Sequence, residues 1–184
     1  MKTYTEAELE LIAANHRRVN WDYVSSERLL PEWFIATWYQ VVDWYLISQC
    51  QTLSEQFIDR WADYVHWKVI SQYQILSEGF ITRWSHKVDW YNICRYQTLS
   101  EQFIATHCTQ VSWVLVSRYQ TLSEQFIDRW SSNLDLELIL IHQELSAEYL
   151  LAHLELWPPG SLLTLYPTFC AEHHLATYLA LTHA

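Results

Sequence analysis

Apolar side chains recur along this chain at the spacing of short helices. Leu53, Phe57, Ile58 and Trp61 follow one another at i, i+4, i+5 and i+8, which forms one continuous apolar stripe on a helix. Ser54 stands directly after the leucine and has the short hydroxyl side chain that caps a helix N-terminus. The pattern therefore predicts a short helix that begins just after Ser54.

The residues before this stripe predict another short helix. Trp44 and Ile47 are three residues apart and share one face, and Ser48 is a small residue on the same stripe, where a neighbouring helix can come close. Asp43 precedes the tryptophan and is a preferred N-cap residue. Helices this short are not stable alone in water, so we expect the two to form a helical hairpin.

The hairpin pattern recurs every 23 residues. Its leading leucines are Leu30, Leu53, Leu76, Leu99, Leu122 and Leu145. A fixed period of this length is the signature of a repeat protein. We therefore predict an all-α fold: an α-solenoid of stacked short helical hairpins, with capping helices at both ends. The tryptophans of successive copies are expected to form one aromatic spine.

Residues 1–184 are predicted to be a single repeat domain. Its parts are an N-terminal cap helix (1–18), five regular repeats (19–133), and degenerate leucine-rich repeats with a C-terminal cap (134–184). The cap helix is expected over Thr5–Arg18, where Thr5 and Glu8 are spaced as a capping box. A seventh, decayed copy is predicted from Pro158 onward and requires one extra residue.

The glycine content disfavours several classes of enzyme. Only 2 of the 184 residues are glycine, and Gly79 and Gly160 are isolated. Phosphate-binding loops, nucleophile elbows and dinucleotide fingerprints all need glycines at fixed places. We therefore predict a protein that is not an enzyme, with no catalytic residues and no cofactor.

Charge is unevenly distributed along the chain. The net charge is −10, and all 11 basic residues fall in residues 1–129, where 15 acidic residues leave a net charge of −4. Residues 130–184 carry 6 acidic residues with no lysine or arginine, a net charge of −6. An acidic surface disfavours direct binding of nucleic acid; it favours a partner with a basic patch, or simply serves solubility.

The cysteines and the apolar runs indicate a compartment. The four cysteines show no CxxC motif and no paired framework, which is typical of reduced thiols. The sequence has no apolar core of a signal peptide and no run of 18 apolar residues. We therefore expect a cytoplasmic protein that does not associate with a membrane.

The repeat consensus Val-Asp-Trp-x-x-Ile-Ser-x-Tyr-Gln-x-Leu-Ser-Glu-x-Phe-Ile covers roughly Val19 to Trp130. It resembles the short tandem repeats of uncharacterised proteins from large DNA viruses, phages and bacteria. The resemblance implies an all-helical array and a viral or mobile-element origin. With that origin, the compartment would be the host cell cytoplasm, and a host defence or regulatory protein would be a natural target. The resemblance supplies no catalytic residues.

One glutamine recurs in each copy at the turn of the hairpin: Gln51, Gln74, Gln97, Gln120 and Gln143. Helix ends leave unpaired backbone groups, so we expect each side chain to bond the backbone of its own turn. The alternative is a row of amides with a function of its own.

Nine histidines raise the question of a metal site. The suggestive groups are His107-Cys108, His142 with Glu144, His153 with Glu155, and Glu172-His173-His174. None has the spacing of a zinc finger or an HExxH motif, so no metal site is predicted. A nucleophilic Cys108 or Cys170 is disfavoured because nothing near either cysteine in the sequence resembles an orienting base.

Two columns of the repeat vary in every copy, whereas the core columns are nearly invariant. The two columns are four residues apart on the first helix and share one face. They contain tyrosine, arginine and lysine, and tyrosine and arginine are enriched at protein interfaces. We predict a partner-binding ribbon formed by Tyr45, Gln49, Lys68, Gln72, Tyr91, Arg95 and Arg118. The alternative is drift on an unconstrained surface.

The second helix of the copies carries a more uniform acidic column. Together with the acidic residues near the C-terminus, it predicts an acidic surface formed by Glu55, Asp59, Glu78, Glu101, Glu124, Asp128, Glu137, Glu144 and Glu148. The alternative for the glutamates is helix capping, because a negative charge is favourable near a helix N-terminus.

Two functions are consistent with these patterns. The first is a non-enzymatic protein-binding repeat scaffold, acting as an inhibitor of a host protein if the origin is viral or phage. The alternative is an acidic mimic of nucleic acid that blocks a DNA- or RNA-binding enzyme. Duplex DNA carries one charge per about 1.7 Å, whereas one glutamate per packed helix gives a spacing of about 10 Å. The spacing therefore favours the first function for the regular repeats.

Overall fold

The structure is a computed structural model that describes residues 2–158, 160–167 and 170. The chain divides into two compact units, residues 1–97 (unit 1) and residues 98–184 (unit 2). Each unit is described by itself. The prediction of a single repeat domain over residues 1–184 stays a prediction.

Unit 1 begins with a cap helix and continues with helical hairpins. Its helices are α1 (Glu6–Ala14), α2 (Trp21–Glu27), α3 (Glu32–Thr37), α4 (Trp44–Cys50), α5 (Glu55–Arg60), α6 (Trp67–Tyr73), α7 (Glu78–Arg83) and α8 (Trp90–Tyr96). The first helices of the hairpins, α2, α4, α6 and α8, pack against one another in succession. The predicted all-α solenoid of stacked helical hairpins is confirmed.

Unit 2 repeats the same arrangement. Its helices are α9 (Glu101–Thr106), α10 (Trp113–Tyr119), α11 (Glu124–Trp130), α12 (Leu136–His142), α13 (Ala147–Ala152) and α14 (Ser161–Leu165). The first helices α10, α12 and α14 pack in succession. Within the described residues, no helix is long and apolar enough to cross a membrane.

The first helix of a hairpin is defined by polar contacts at its start. In α4 the Asp43 carboxylate accepts a hydrogen bond from the backbone N–H of Leu46 (2.9 Å), so it satisfies a donor that the helix leaves unpaired. The indole N–H of Trp44 donates to the carbonyl of Tyr39 (2.8 Å) and fixes the preceding turn. The chain then leaves the helix in an extended conformation at Gln51.

The second helix begins at the predicted serine. In α5 the Ser54 hydroxyl accepts a hydrogen bond from the backbone N–H of Phe57 (3.1 Å). The helix ends at Arg60, and the backbone N–H of Trp61 still donates to the Phe57 carbonyl (3.0 Å). Both helices of the hairpin therefore begin where the sequence predicts.

The core of each unit consists of aliphatic side chains and phenylalanines, and most of the described tryptophans are half-buried. In unit 1 the isoleucines Ile47, Ile58, Ile70 and Ile81 are completely buried. The tryptophans pair inside one hairpin: Trp44 and Trp61 have ring centroids 5.4 Å apart, and Trp67 and Trp84 have centroids 4.9 Å apart. These pairs lie inside one hairpin. Between the first two copies, Tyr39 meets Trp61 with ring centroids 5.2 Å apart, and an aromatic spine over all successive copies stays a prediction.

The small residue of the first helix joins neighbouring copies. Ser48 is completely buried. Its hydroxyl donates to the Trp44 carbonyl (2.7 Å) and accepts a hydrogen bond from the backbone N–H of His66 in the next copy (3.0 Å). The serine therefore allows close packing, as predicted, and also satisfies a polar group at the start of the neighbouring helix.

The N-terminal cap helix is shorter than predicted. Thr5 and Glu8 form the expected capping box, but α1 ends at Ala14, and residues His16–Arg18 form a separate 3-10 turn. The side chain of Asn15 ends the helix, because its amide nitrogen donates to the carbonyl of Leu11 (2.9 Å). Glu8 also binds Arg28 (2.6 Å), which attaches α1 to the turn between α2 and α3.

In the decayed seventh copy, a contact of the regular copies recurs at the same 23-residue interval. The hydroxyl of Tyr166, 23 residues after Gln143, donates to the carbonyl of Leu140 (2.9 Å). Gln143 makes the equivalent contact with Ser117 one copy earlier (3.3 Å). The extra residue required by the sequence alignment is therefore not needed at this point. The rest of the predicted C-terminal cap, residues 171–184, lies outside the described residues.

Candidate binding surface

The predicted partner-binding residues of unit 1 lie on the first helices. Tyr45, Lys68 and Tyr91 occupy the second position of α4, α6 and α8, and all three side chains are exposed. Gln49, Gln72 and Arg95 lie one turn later on the same helices and are half-buried. Because these helices pack in succession, the two columns lie along one surface of unit 1. We call this surface the first-helix face.

Three contacts order the side chains on the first-helix face. The Arg95 guanidinium donates to the hydroxyl of Tyr91 (3.2 Å) and lies 5.2 Å from the centre of the Tyr96 ring. Tyr45 meets the ring of His66 edge-on, with centroids 5.5 Å apart. Side chains that are already held in place lose less conformational entropy when a partner binds.

The seventh predicted residue, Arg118, lies in unit 2. It is exposed on α10, and its guanidinium lies 5.3 Å from the centre of the Tyr119 ring. One turn earlier on the same helix, the Val114 side chain is also exposed. This pairing of an arginine with the following tyrosine is the one seen at Arg95 and Tyr96 in unit 1.

Three exposed side chains on α6, on α8 and in the turn after α6 were not predicted. Tyr73 and Tyr96 end α6 and α8, and 48% and 45% of their surfaces are exposed. Ile75, in the turn after α6, is 96% exposed, whereas three other regular copies have Thr52, Thr98 and Thr121 at this place. The tyrosines recur nearly unchanged between copies, so variation between copies does not distinguish them from the core. The signal for Ile75 was an apolar residue in a threonine column.

The acidic column of the second helices makes bonds between copies. In unit 1, Glu55 Oε1 accepts a hydrogen bond from the backbone N–H of Ser77 in the next copy (2.6 Å). The same contact joins Glu32 to Ser54 (2.6 Å), Glu101 to Ser123 (2.5 Å) and Glu124 to Ser146 (2.7 Å). Each glutamate therefore caps the second helix of the following copy, which supports the capping interpretation. Glu78 occupies the same position and is half-buried.

The two aspartates of the predicted acidic surface also bind the following copy. Asp59 accepts hydrogen bonds from the indole of Trp84 (2.6 Å) and from Arg83 (2.8 Å). In unit 2, Asp128 accepts one from the Tyr149 hydroxyl (2.6 Å) and faces His153 Nε2 (3.4 Å). Burial, together with the hydrogen bond to Asp128, raises the pKa of Tyr149.

The remaining acidic residues lie near the end of unit 2. Glu137 accepts a hydrogen bond from the Ser161 hydroxyl (3.0 Å). Glu144 and Glu148 are exposed, and no basic residue of the sequence follows Arg129. These two carboxylates are therefore the part of the predicted acidic surface most open to a partner.

The recurring glutamines bond backbone groups, but those of the preceding copy. In unit 1, Gln74 is buried; its Oε1 accepts from the N–H of Leu53 (3.0 Å), and its Nε2 donates to the carbonyls of Ser48 (3.0 Å) and Gln51 (2.7 Å). In unit 2, Gln143 makes the same three contacts with Leu122, Ser117 and Gln120. The prediction of a backbone contact is confirmed, and its target is corrected from the glutamine's own turn to that of its neighbour.

The histidines and cysteines do not form a cluster in the part of the chain that the structure describes. No group of three residues there could hold a metal ion, and the predicted group Glu172-His173-His174 lies outside it. His107 is buried against Phe103, with ring centroids 4.2 Å apart. Burial raises the pKa of the Cys50 and Cys170 thiols, which makes each a poorer nucleophile.

Comparison of the chain with models of protein families, with curated proteins and with solved structures finds no match.

Proposed function

We propose that this chain is a non-enzymatic protein-binding repeat scaffold. The observation that carries the proposal is the set of exposed aromatic and apolar side chains on α4, α6 and α8 of unit 1 and in the turn after α6. Tyr45 and Tyr91 are about half exposed, and Ile75 is almost fully exposed. Tyrosine and arginine are the residues that most often dominate the binding energy of protein interfaces.

The exposed residues are not required by the repeat itself. The core, the caps and the contacts between copies use other columns, such as those of Ile47, Ser54 and Gln74. Ile75 stands where three other regular copies have threonine, and it leaves an apolar side chain in water. A side chain that the fold does not need, and that is unfavourable in water, is typical of a binding surface.

The chemistry of the partner follows from the charges. Tyrosines and Ile75 would fill apolar pockets of a protein partner, and the net charge of −10 would attract a basic patch around those pockets. From the sequence resemblance we also propose a viral or phage origin, with a host defence protein in the cytoplasm as the target that the scaffold inhibits.

The second candidate is an acidic mimic of nucleic acid. The exposed Glu144 and Glu148, in a segment with no basic residue, favour it for the end of unit 2. In the regular copies the glutamates that would imitate phosphates, such as Glu55 and Glu124, already accept backbone hydrogen bonds. We therefore place this function second.

The test is capture of partners from a host lysate by the full chain, at about 0.1 M and about 0.5 M salt, followed by identification of the bound proteins. The scaffold proposal predicts a protein that stays bound at high salt, because aromatic contacts are not screened. It also predicts loss of that protein with Tyr45→Ala plus Tyr91→Ala, and with Ile75→Thr, which introduces the residue of three other copies.

The matched control is Tyr23→Ala, which removes an exposed tyrosine of α2 outside the first-helix face. It should retain the partner. If the first-helix variants retain the partner as well, the first-helix face is not the binding surface. If only nucleic-acid-binding proteins are captured, and they are released by salt, the mimic is the better account.

A further inference from the structure

A groove separates the cap helix α1 from α3 in unit 1. It has a volume of about 280 Å³. The α1 side is lined by Glu6, Leu9, Glu10 and Ala13, and the α3 side by Trp33, Phe34, Thr37 and Trp38. One wall therefore carries two carboxylates, and the other carries three aromatic rings. This groove is separate from the first-helix face and from the acidic column of the second helices.

Trp33 departs from the repeat in a way that the fold does not explain. The other copies carry Gln56, Gly79, Gln102, Gln125 and Glu148 at this position. Trp33 is 60% exposed, so it contributes little to the core. Its ring packs edge-on against Phe34, with centroids 5.6 Å apart and planes at 80°. The indole is thus supported by the core and leaves much of its surface open to solvent.

The two carboxylates of the groove are not neutralised. Glu6 and Glu10 are four residues apart on one face of α1, and both are exposed. Among the described residues, neither forms an ion pair. The third glutamate of this helix, Glu8, binds Arg28 outside the groove.

A cation with a flat, apolar surface fits this combination of side chains. The faces of tryptophan rings attract cations, and paired carboxylates accept hydrogen bonds from a guanidinium. An ammonium group is more strongly hydrated than a guanidinium and cannot stack on an indole in the same way. We propose that this groove binds an arginine side chain from a basic segment of a protein partner.

The proposal does not depend on the first-helix face. Trp33 supplies the stacking surface, and Glu6 and Glu10 supply the charge that selects arginine over a neutral side chain of the same shape. The groove would therefore recognise one arginine even if the first-helix face bound nothing.

The experiment is a titration of the full ¹⁵N-labelled chain with N-acetyl-arginine-N-methylamide, followed by NMR. The indole N–H signal of Trp33 is assigned by its loss in Trp33→Gln, a variant that carries the residue of three other copies. The proposal predicts a saturable shift of this signal. The citrulline analogue, which has the same shape without the charge, should bind at least about tenfold more weakly, and the lysine analogue about twofold to fivefold more weakly.

Variants separate the groove from the general negative charge of the chain. Glu6→Gln with Glu10→Gln should weaken binding about fivefold, which is the size expected for two solvent-exposed charge contacts. Glu144→Gln with Glu148→Gln removes the same charge from exposed positions of unit 2 and should change binding less than twofold. Circular dichroism at 222 nm checks that each variant keeps its helices.

Three results would overturn the proposal. The first is a shift that grows linearly without saturation, and the second is equal binding of arginine and citrulline. The third is equal weakening by the groove variant and the unit 2 variant, which would show attraction to net charge alone. If another part of the chain fills the groove, the Trp33 signal will not respond to the probe, and the proposal fails in the same way.

Discussion

An aspartate placed at position 36 should stabilise unit 1 by giving a buried indole its missing partner. In this unit Asp59 accepts the indole N–H of Trp84, 25 residues later (2.6 Å). Ala36 stands 25 residues before Trp61, whose buried indole N–H has no hydrogen-bond partner among the described residues. Unit 2 shows the same relation between Ala105 and Trp130. Ala36→Asp would reproduce, in another copy of the repeat, the contact between Asp59 and the Trp84 indole.

The magnitude follows from three opposing terms. Pairing a buried, unsatisfied donor contributes about 1–3 kcal/mol. Aspartate in place of alanine within a helix costs about 0.5 kcal/mol. A negative charge near a helix C-terminus costs a further 0.3–1 kcal/mol or so. We expect a net gain of about 1 kcal/mol, or about 2–4 °C in Tm for a chain of this size.

The assay is urea unfolding followed by circular dichroism, arranged as a double-mutant cycle with Trp61→Phe. The phenylalanine keeps an aromatic ring but removes the N–H, so Ala36→Asp should lose its benefit in that background. The converse variant, Asp59→Ala, should destabilise the chain by about 1–3 kcal/mol, because it leaves Trp84 and Arg83 without their acceptor. A gain that persists with Trp61→Phe, or no gain at all with Trp61 present, would refute the reasoning.

Three further predictions concern stability. Glu55→Gln should change the free energy of unfolding little, because an amide oxygen can still accept the hydrogen bond from the Ser77 N–H. Glu55→Leu should cost about 1 kcal/mol in the same urea assay. Equal losses for the two variants would show that the charge of Glu55 matters and its hydrogen bond to Ser77 does not. Gly79→Gln should raise the free energy of unfolding by about 0.5–1 kcal/mol in the urea assay, because the position is helical and has no atom within 4 Å of an added Cβ. Other copies carry glutamine at this position. A lower free energy of unfolding would contradict the open surroundings of Gly79. Hydrogen bonds from Thr5 and Arg28 lower the pKa of Glu8. The contribution of Glu8 to stability is therefore present above the ordinary glutamate pKa of about 4.5 and is lost as the pH falls through the lowered value. The melting temperatures of the wild type and Glu8→Gln should differ at pH 7 and converge near pH 3, and a difference that stays constant with pH would refute this prediction.

The local structure of the repeat could be predicted from the sequence, because it depends on neighbouring residues. The capping serine and the i, i+4, i+5 stripe place α5 at Glu55–Arg60, and Asp43 with Trp44 places the start of α4. The period of 23 then extends both helices to the other copies. The cap helix was less predictable, since its end depends on a single contact of Asn15.

Contacts between copies could not be predicted, because sequence spacing does not show which neighbour a side chain reaches. Gln74 could have bonded its own turn or the preceding one, and only the packing of the first helices selects the latter. The unpaired indole of Trp61 likewise depends on a residue 25 positions earlier. The exposure of Trp33 and Ile75 depends on how their helices pack, and residue type alone does not show it.

The central claim is that each copy is fastened to its neighbour by buried side-chain contacts to the backbone, and hydrogen exchange at Leu53 tests it most directly. The backbone N–H of Leu53 donates to the buried Oε1 of Gln74 (3.0 Å). Among the described residues, no backbone carbonyl accepts a hydrogen bond from it. The account predicts slow exchange of this amide in the wild type, and fast exchange in Gln74→Leu while the amide of Leu76, bonded to Gln97, stays protected. Fast exchange of Leu53 in the wild type, or unchanged protection in Gln74→Leu, would contradict the account.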